Sequence, residues 1–90
     1  MLKTLEDLIS VIRERKSSPN EKSYTSKLLS DKNLSVETVK EERAELIEAI
    51  ENNSNTVHEA ADVFYHLLVY LEGNGVRIED IMLELDKRRK

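Results

Sequence analysis

Wound as an α-helix, the stretch from Val57 to Leu71 is apolar around almost its whole circumference: Val57, Ala60, Ala61, Val63, Phe64, Leu67, Leu68, Val69 and Leu71 leave little room for a water-facing stripe. A helix of this kind belongs in an interior. The chain has only 90 residues, and a single domain of that size buries roughly 60–65% of the surface its unfolded chain exposes. One copy can hardly cover such a helix on every side. The sequence therefore predicts one domain over residues 1–90, completed by a second copy.

The rest of the chain is built for helices. It holds 2 Gly and 1 Pro against 36% charged residues, a balance that disfavours sheets and loops. Periodicity and end signals give a first helix over 4–16, capped by Thr4, with Leu5, Leu8, Ile9 and Ile12 at helical spacing and Arg13, Arg15 and Lys16 in its last turn. Ser17 to Asn20 break it. A short helix over 24–29 follows, then a loop over 30–34. The next helix covers 35–51, with Ser35 as N-cap and Val36, Val39, Leu46, Ile47 and Ile50 on its apolar arc. Asn52 to Asn55 form a polar turn. A helix over 56–72 opens on a capping box, Thr56 to Glu59, and stops at Gly73-Asn74-Gly75. A last helix covers 78–87, with Ile78, Ile81, Met82 and Leu85 facing inward. The fold class is all-α, a helical bundle.

Several function classes drop out. The chain has no cysteine, which removes a disulfide framework, a thiolate zinc site and thiol catalysis, and fits the cytoplasm. No run approaches the length of a membrane span, and the first residues lack the basic and apolar regions of a signal peptide. The net charge of −4 argues against nucleic acid as a partner.

Four acids carry the chemistry. Glu42 and Glu45 lie three apart on the 35–51 helix, and Glu59 and Asp62 lie three apart on the next, so each pair shares a helix face. Asp62 sits within the most apolar helix, where a lone carboxylate is costly unless it is paired or binds metal. An antiparallel hairpin through the 52–55 turn brings all four together. Four adjacent carboxylates repel one another. A hard divalent cation, Mg²⁺ or else Mn²⁺, relieves that repulsion, and the chemistry it suggests is metal-assisted attack of water on a polyphosphate. Each feature has a plainer reading as well. Glu59 alone is a capping acid, Glu42 and Glu45 alone are a solvated face, and Asp62 alone pairs with a core Arg or Tyr. Glu41 and Glu48 point towards solvent. His58 reads as surface. His66, four residues after Asp62, orients Asp62 or a substrate, or else is a satisfied core histidine. Lys27, Lys40 and Arg88 are either solvated cations or phosphate contacts, and Tyr65 and Tyr70 read as packing residues.

The order Glu42-x-x-Glu45, thirteen residues, Glu59-x-x-Asp62 resembles the metal motif of the MazG-like all-helical nucleotide pyrophosphohydrolases. Within them, Ser23-Tyr24-Thr25 with Lys27 and Leu28, the run Glu41 to Glu45, and the run Glu59 to Val69 resemble three segments of the phosphoribosyl-ATP pyrophosphatases. The likeness extends over nearly the whole chain. Two positions depart from it: the loop after Thr25 has no Gly, and Thr38 stands where the family carries a Lys, with Lys40 or Lys32 as the replacement charge. The resemblance implies hydrolysis of phosphoribosyl-ATP to phosphoribosyl-AMP and pyrophosphate, the second step of histidine biosynthesis; the homodimer is expected from the apolar helix. The resemblance places Glu42, Glu45, Glu59 and Asp62 on the metal and Glu42 and Glu45 in catalysis, with Glu41 orienting water. It sets Lys27, Arg88, Tyr24 and His66 beside the substrate. Two rivals remain at this level. One is a MazG-like enzyme that clears free or damaged nucleoside triphosphates. The other is a helical dimerisation module that binds no metal.

Overall fold

A computed structural model describes residues 2–89; Met1, and Lys90 of the basic tail, lie outside the described residues. Five helices follow one another: α1 (Leu2–Ser17), α2 (Tyr24–Ser30), α3 (Lys32–Asn52), α4 (Thr56–Gly73) and α5 (Ile78–Arg88). No strand occurs among the described residues. The long α3 and α4 form a hairpin, α2 packs against both of its helices, α1 lies against α2 and α4, and α5 docks at the C-terminal end of α4. The core is small: Ile12 of α1, Leu28 of α2, Leu68 and Val69 of α4 and Ile78 of α5, with Leu5, Leu8, Ile9 and Leu34 packed around them.

The α3–α4 turn sets the register of the hairpin. Asn53 and Asn55 both take left-handed backbone angles, φ 52° each, a conformation in which Asn is several-fold enriched over other side chains. Asn53 N–H closes on the Ala49 and Ile50 carbonyls, and Ser54 N–H reaches back to Ala49. At the other end of α4, Gly75 has φ 77°, and a Cβ on Gly73 would crowd Leu29 of α2 at 3.3 Å. That contact lets α2 lie close against α4.

The helices depart from the sequence-based expectations in five places. Helix α1 begins at Leu2, so Thr4 is inside it. The 30–34 loop is mostly helix: Asp31, not Ser35, is the N-cap of α3, accepting from Leu34 N–H at 3.0 Å, and Ser35 is buried one turn on. The capping box at Thr56 does not form. Asn55 precedes the helix without a side-chain cap, Thr56 Oγ1 bonds the Ala49 carbonyl instead, and Glu59 is released for other partners. The apolar arc of α3 is also turned: Ile47 and Ile50 are exposed, while Ser35, Thr38 and Ala49 are buried. In α5, Ile78 is buried and Ile81 is partly buried, but Met82 and Leu85 face outward.

Leu68 and Val69 fill the core, yet Val57, Phe64 and Leu67 are exposed. Val57, Ala60, Ala61 and Phe64 join Leu2, Leu5 and Leu8 of α1 in an open apolar groove. A single copy leaves this side of α4 bare.

A polar clasp ties the ends of the chain together. Arg13 of α1 donates to both carboxylate oxygens of the buried Glu72 on α4, at 2.8 and 3.1 Å, and to both of Glu79 on α5. Glu72 also accepts from Ile78 N–H at 3.3 Å, and Lys16 donates to the Glu72 carbonyl at 2.7 Å. A charge buried this deeply needs that many partners.

Candidate active site

The α3–α4 hairpin brings the acids together. Carboxylate oxygens of Glu42, Glu45 and Glu59 lie within 4.8 Å of one another. A second group, His58, Glu59 and Asp62, meets the same limit and shares Glu59 with the first. Register explains this: the two asparagines of the turn fold α4 back so that the second turn of α4 lies opposite the middle of α3. Asp62 is not buried as its place in α4 suggested. Its side chain is 38% exposed and pairs at 3.4 Å with Nε2 of His58, a surface residue one helical turn back. The i,i+4 spacing of His58 and Asp62 was the available signal.

The electrostatics are unfavourable without a cation. Burial, then the charges of Glu45 and Asp62, push the Glu42 carboxyl up to about 7. Glu59 is pushed up in the same direction, by burial and then by Glu45. Among the described residues, Glu42 Oε2 and Glu59 Oε2 are buried and have no hydrogen-bond partner. Two orphaned carboxylate oxygens in an all-oxygen cluster fit a hard divalent cation, which satisfies both at once. A cleft beside the cluster is lined by Glu45, Glu48, Ala49, Asn52, Ser54, Asn55 and Glu59.

Aromatic residues border the acids on the side of α2. Ser23 caps α2, its side chain accepting from Ser26 N–H. Tyr24 and Thr25 in the first turn therefore face α4. Thr25 Oγ1 and the Tyr65 hydroxyl are hydrogen-bonded, and the Tyr24 and Tyr65 rings stack at 6.5 Å. His66 is buried, and its ring meets Tyr65 and Tyr24 edge-on at 5.1 and 5.9 Å. His66 Nε2 stands 4.0 Å from Glu42 Oε1, so Glu42, rather than Asp62, is its close acidic neighbour. Burial lowers the His66 pKa despite the nearby charges of Asp62 and Glu41. Burial, then Tyr65, Glu42 and Glu41, raise that of Tyr24.

The structure thus gathers Glu42, Glu45, Glu59, Asp62, Tyr24 and His66, with the exposed Glu41 close enough for its charge to reach both rings. It does not bring Lys27 and Arg88 to them. Lys27 lines a separate cleft with Pro19, Asn20, Glu21, Ser26 and Ser30. Arg88 is exposed and donates to Glu84 on its own helix at 2.9 Å. Lys40 pairs with Glu37 at the surface, and Thr38 is buried with its hydroxyl on the Ser35 carbonyl.

Comparison with known proteins points to one family. The chain is similar to the phosphoribosyl-ATP pyrophosphatase of Methanoregula boonei, 43% identical over 99% of this chain and 90% of that one. It is similar to those of Methanoculleus marisnigri, 42% identical over 96% and 94%, and Methylobacterium nodulans, 41% identical over 94% and 82%. No solved structure matches it. Residues 5–89 match the family described as phosphoribosyl-ATP pyrophosphohydrolase, and with its acids paired across one helical hairpin the chain belongs to that family.

Proposed function

We propose that the protein hydrolyses phosphoribosyl-ATP to phosphoribosyl-AMP and pyrophosphate, the second step of histidine biosynthesis, with Mg²⁺ held by Glu42, Glu45, Glu59 and Asp62. The observation that carries this reading is the convergence of Glu42, Glu45 and Glu59 within 4.8 Å, with two buried carboxylate oxygens lacking partners. When bound, the cation supplies the positive charge that the phosphate oxygens and the departing pyrophosphate require. The protein's own residues do the rest. Glu42 and Glu59 are held in a partly buried setting that fixes their geometry. Glu45, the exposed member, accepts a proton from the water as that water attacks phosphorus, the bridging P–O bond between the α and β phosphates breaks and pyrophosphate leaves. Glu41, next in sequence to Glu42 and open to solvent, orients that water. His66, buried behind Glu42 with Nε2 4.0 Å from its Oε1, closes the inner side of the cluster. Lys27 and Arg88 reach the phosphates only if a second copy presents them.

The exposed surface supports such a second copy. The chain has 6972 Å² of accessible surface, whereas a globular monomer of 10.4 kDa exposes roughly 5,400 Å². The radius of gyration is 14.1 Å against about 12 Å for a compact chain of this length. The excess surface is what one face of a substantial homodimer buries. No helix among the described residues is long and apolar enough to cross a membrane; the likeness to enzymes of a biosynthetic step is what supports assigning the protein to the cytoplasm.

The test is pyrophosphate release from phosphoribosyl-ATP with and without Mg²⁺, beside a panel of ordinary and modified nucleoside triphosphates. Metal-dependent release with preference for phosphoribosyl-ATP is expected. Preference for a free triphosphate, or no release, overturns the assignment.

A further inference from the structure

Tyr65 is unused by the hydrolase reading, yet it is the most connected aromatic residue near the acids. Its hydroxyl bonds Thr25 Oγ1 across 40 residues of sequence, its ring stacks on Tyr24 at an interplanar angle of 20°, and its edge meets His66. These contacts join the first turn of α2 to α4 at one point. Tyr24 is left with one face against Tyr65 and 49% of its surface exposed. It is also one ring away from the acids, since His66 touches Tyr24 edge-on and stands 4.0 Å from Glu42.

An exposed aromatic ring held this firmly beside an acidic, cation-suited cluster has a purpose that packing alone does not explain. Had it served only the core, the ring would be buried as Leu28 is. A flat π surface next to a polyphosphate site suits a purine base, because stacking needs a ring face and little else. We infer that Tyr65 is a positioning residue: through Thr25 and the ring stack it presents Tyr24 as the platform on which the purine of the substrate stacks. This rests on the hydrolase reading and names the part of the site that holds the base.

The test separates the platform from its support. Tyr24→Phe keeps the ring face, so its KM for phosphoribosyl-ATP stays well below that of the variant that loses the ring. Tyr24→Leu raises KM roughly tenfold or more, and the loss falls on KM rather than kcat. Tyr65→Phe and Thr25→Val each raise KM by about threefold, and together by no more than either alone, because they cut the same bond. A purely structural bond would instead lower the melting temperature and leave KM alone. A second measurement uses α,β-methylene-ATP with Mg²⁺ as a probe that is not cleaved. Its adenine protons shift upfield in the NMR spectrum on binding the wild-type protein and Tyr24→Phe, but not on binding Tyr24→Leu. An unchanged KM in Tyr24→Leu, additive effects of Tyr65→Phe and Thr25→Val, or no upfield shift in the wild type overturns the proposal. A wild-type protein that releases no pyrophosphate from phosphoribosyl-ATP sinks the hydrolase reading instead, and the stack is then decided by the upfield shift alone.

Discussion

Arg13 grips both carboxylate oxygens of Glu72, at 2.8 and 3.1 Å, although the two residues are 59 apart in sequence. Glu72 is 5% exposed, so losing the guanidinium leaves a buried charge with only the Ile78 N–H as donor. Arg13→Met is expected to cost roughly 2–3 kcal/mol, or about 4–8 °C of melting temperature per kcal/mol in a domain this small. Glu72→Met in the same chain should recover much of that loss, since it removes the orphaned charge. Thermal melts of the two variants check this, and a double variant no better than Arg13→Met contradicts it.

The same clasp sets an acid limit. Hydrogen bonds from Arg13 hold the Glu79 carboxyl down at about 2 and lower that of Glu72. A depressed carboxylate stabilises the fold fully above its unfolded value, near 4.5, and the contribution drains away as pH falls from there towards 2. Stability measured by urea unfolding should decline between pH 5 and pH 2.5. In Arg13→Met that decline should be shallower, because the shift that causes it is gone.

At the acidic cluster the sign reverses. Glu42 titrates at about 7 in the fold, above its unfolded value, so the folded state binds the extra proton. Its contribution is present below about 4.5 and is lost as pH rises through 7. The metal-free protein should therefore lose stability from pH 5 to pH 8. Mg²⁺ binding should release protons near pH 7 and raise the melting temperature more at pH 8 than at pH 5. Glu42→Gln should be more stable than the wild type at pH 8 without metal, and should gain less from Mg²⁺. Equal metal stabilisation at both pH values would count against the site.

Much of this was legible in the sequence, and the misses share a cause. Five helices, the 52–55 turn and the pairing of Glu42 and Glu45 with Glu59 followed from periodicity and spacing, which are local. What failed depended on competition between local signals or on distant contacts. Ser35 is as good a cap as Asp31, and only the buried position of Ser35 decides between them. Thr56 and Glu59 spell a capping box, but the turn gives Thr56 to Ala49 and leaves Glu59 for the acids. Ile47 and Ile50 sit on the arc expected to face inward and are exposed in one copy. Arg13 read as a helix-end cation because its partners, Glu72 and Glu79, lie beyond any local window.

Those exposed residues make the oligomeric state a sharp test. Phe64 is 60% exposed in the single chain, so Phe64→Glu should change a monomer's stability by no more than about 0.5 kcal/mol. In a homodimer that uses the α1–α4 groove, the same change puts a charge into an apolar contact. It should weaken association by roughly 30-fold or more. Sedimentation equilibrium of the wild type and the variant distinguishes the cases. A wild type that stays monomeric at tens of micromolar would remove the dimer from the proposal.

The division of labour among the acids can be read from single substitutions. Asp62 and Glu45 are partly or fully exposed, so Asp62→Asn and Glu45→Gln remove charge without opening the core, and both should melt within a few degrees of the wild type. If they hold the cation, each lowers turnover of phosphoribosyl-ATP by roughly 100-fold or more and weakens Mg²⁺ binding in calorimetry. His58 supplies the control. It is exposed and touches Asp62 at 3.4 Å, and an oxygen-loving cation does not need its imidazole. His58→Gln should keep turnover within about threefold of the wild type. Should Asp62→Asn retain full Mg²⁺-dependent activity, the cation is held by Glu42, Glu45 and Glu59 alone, and Asp62 serves only to pair with His58.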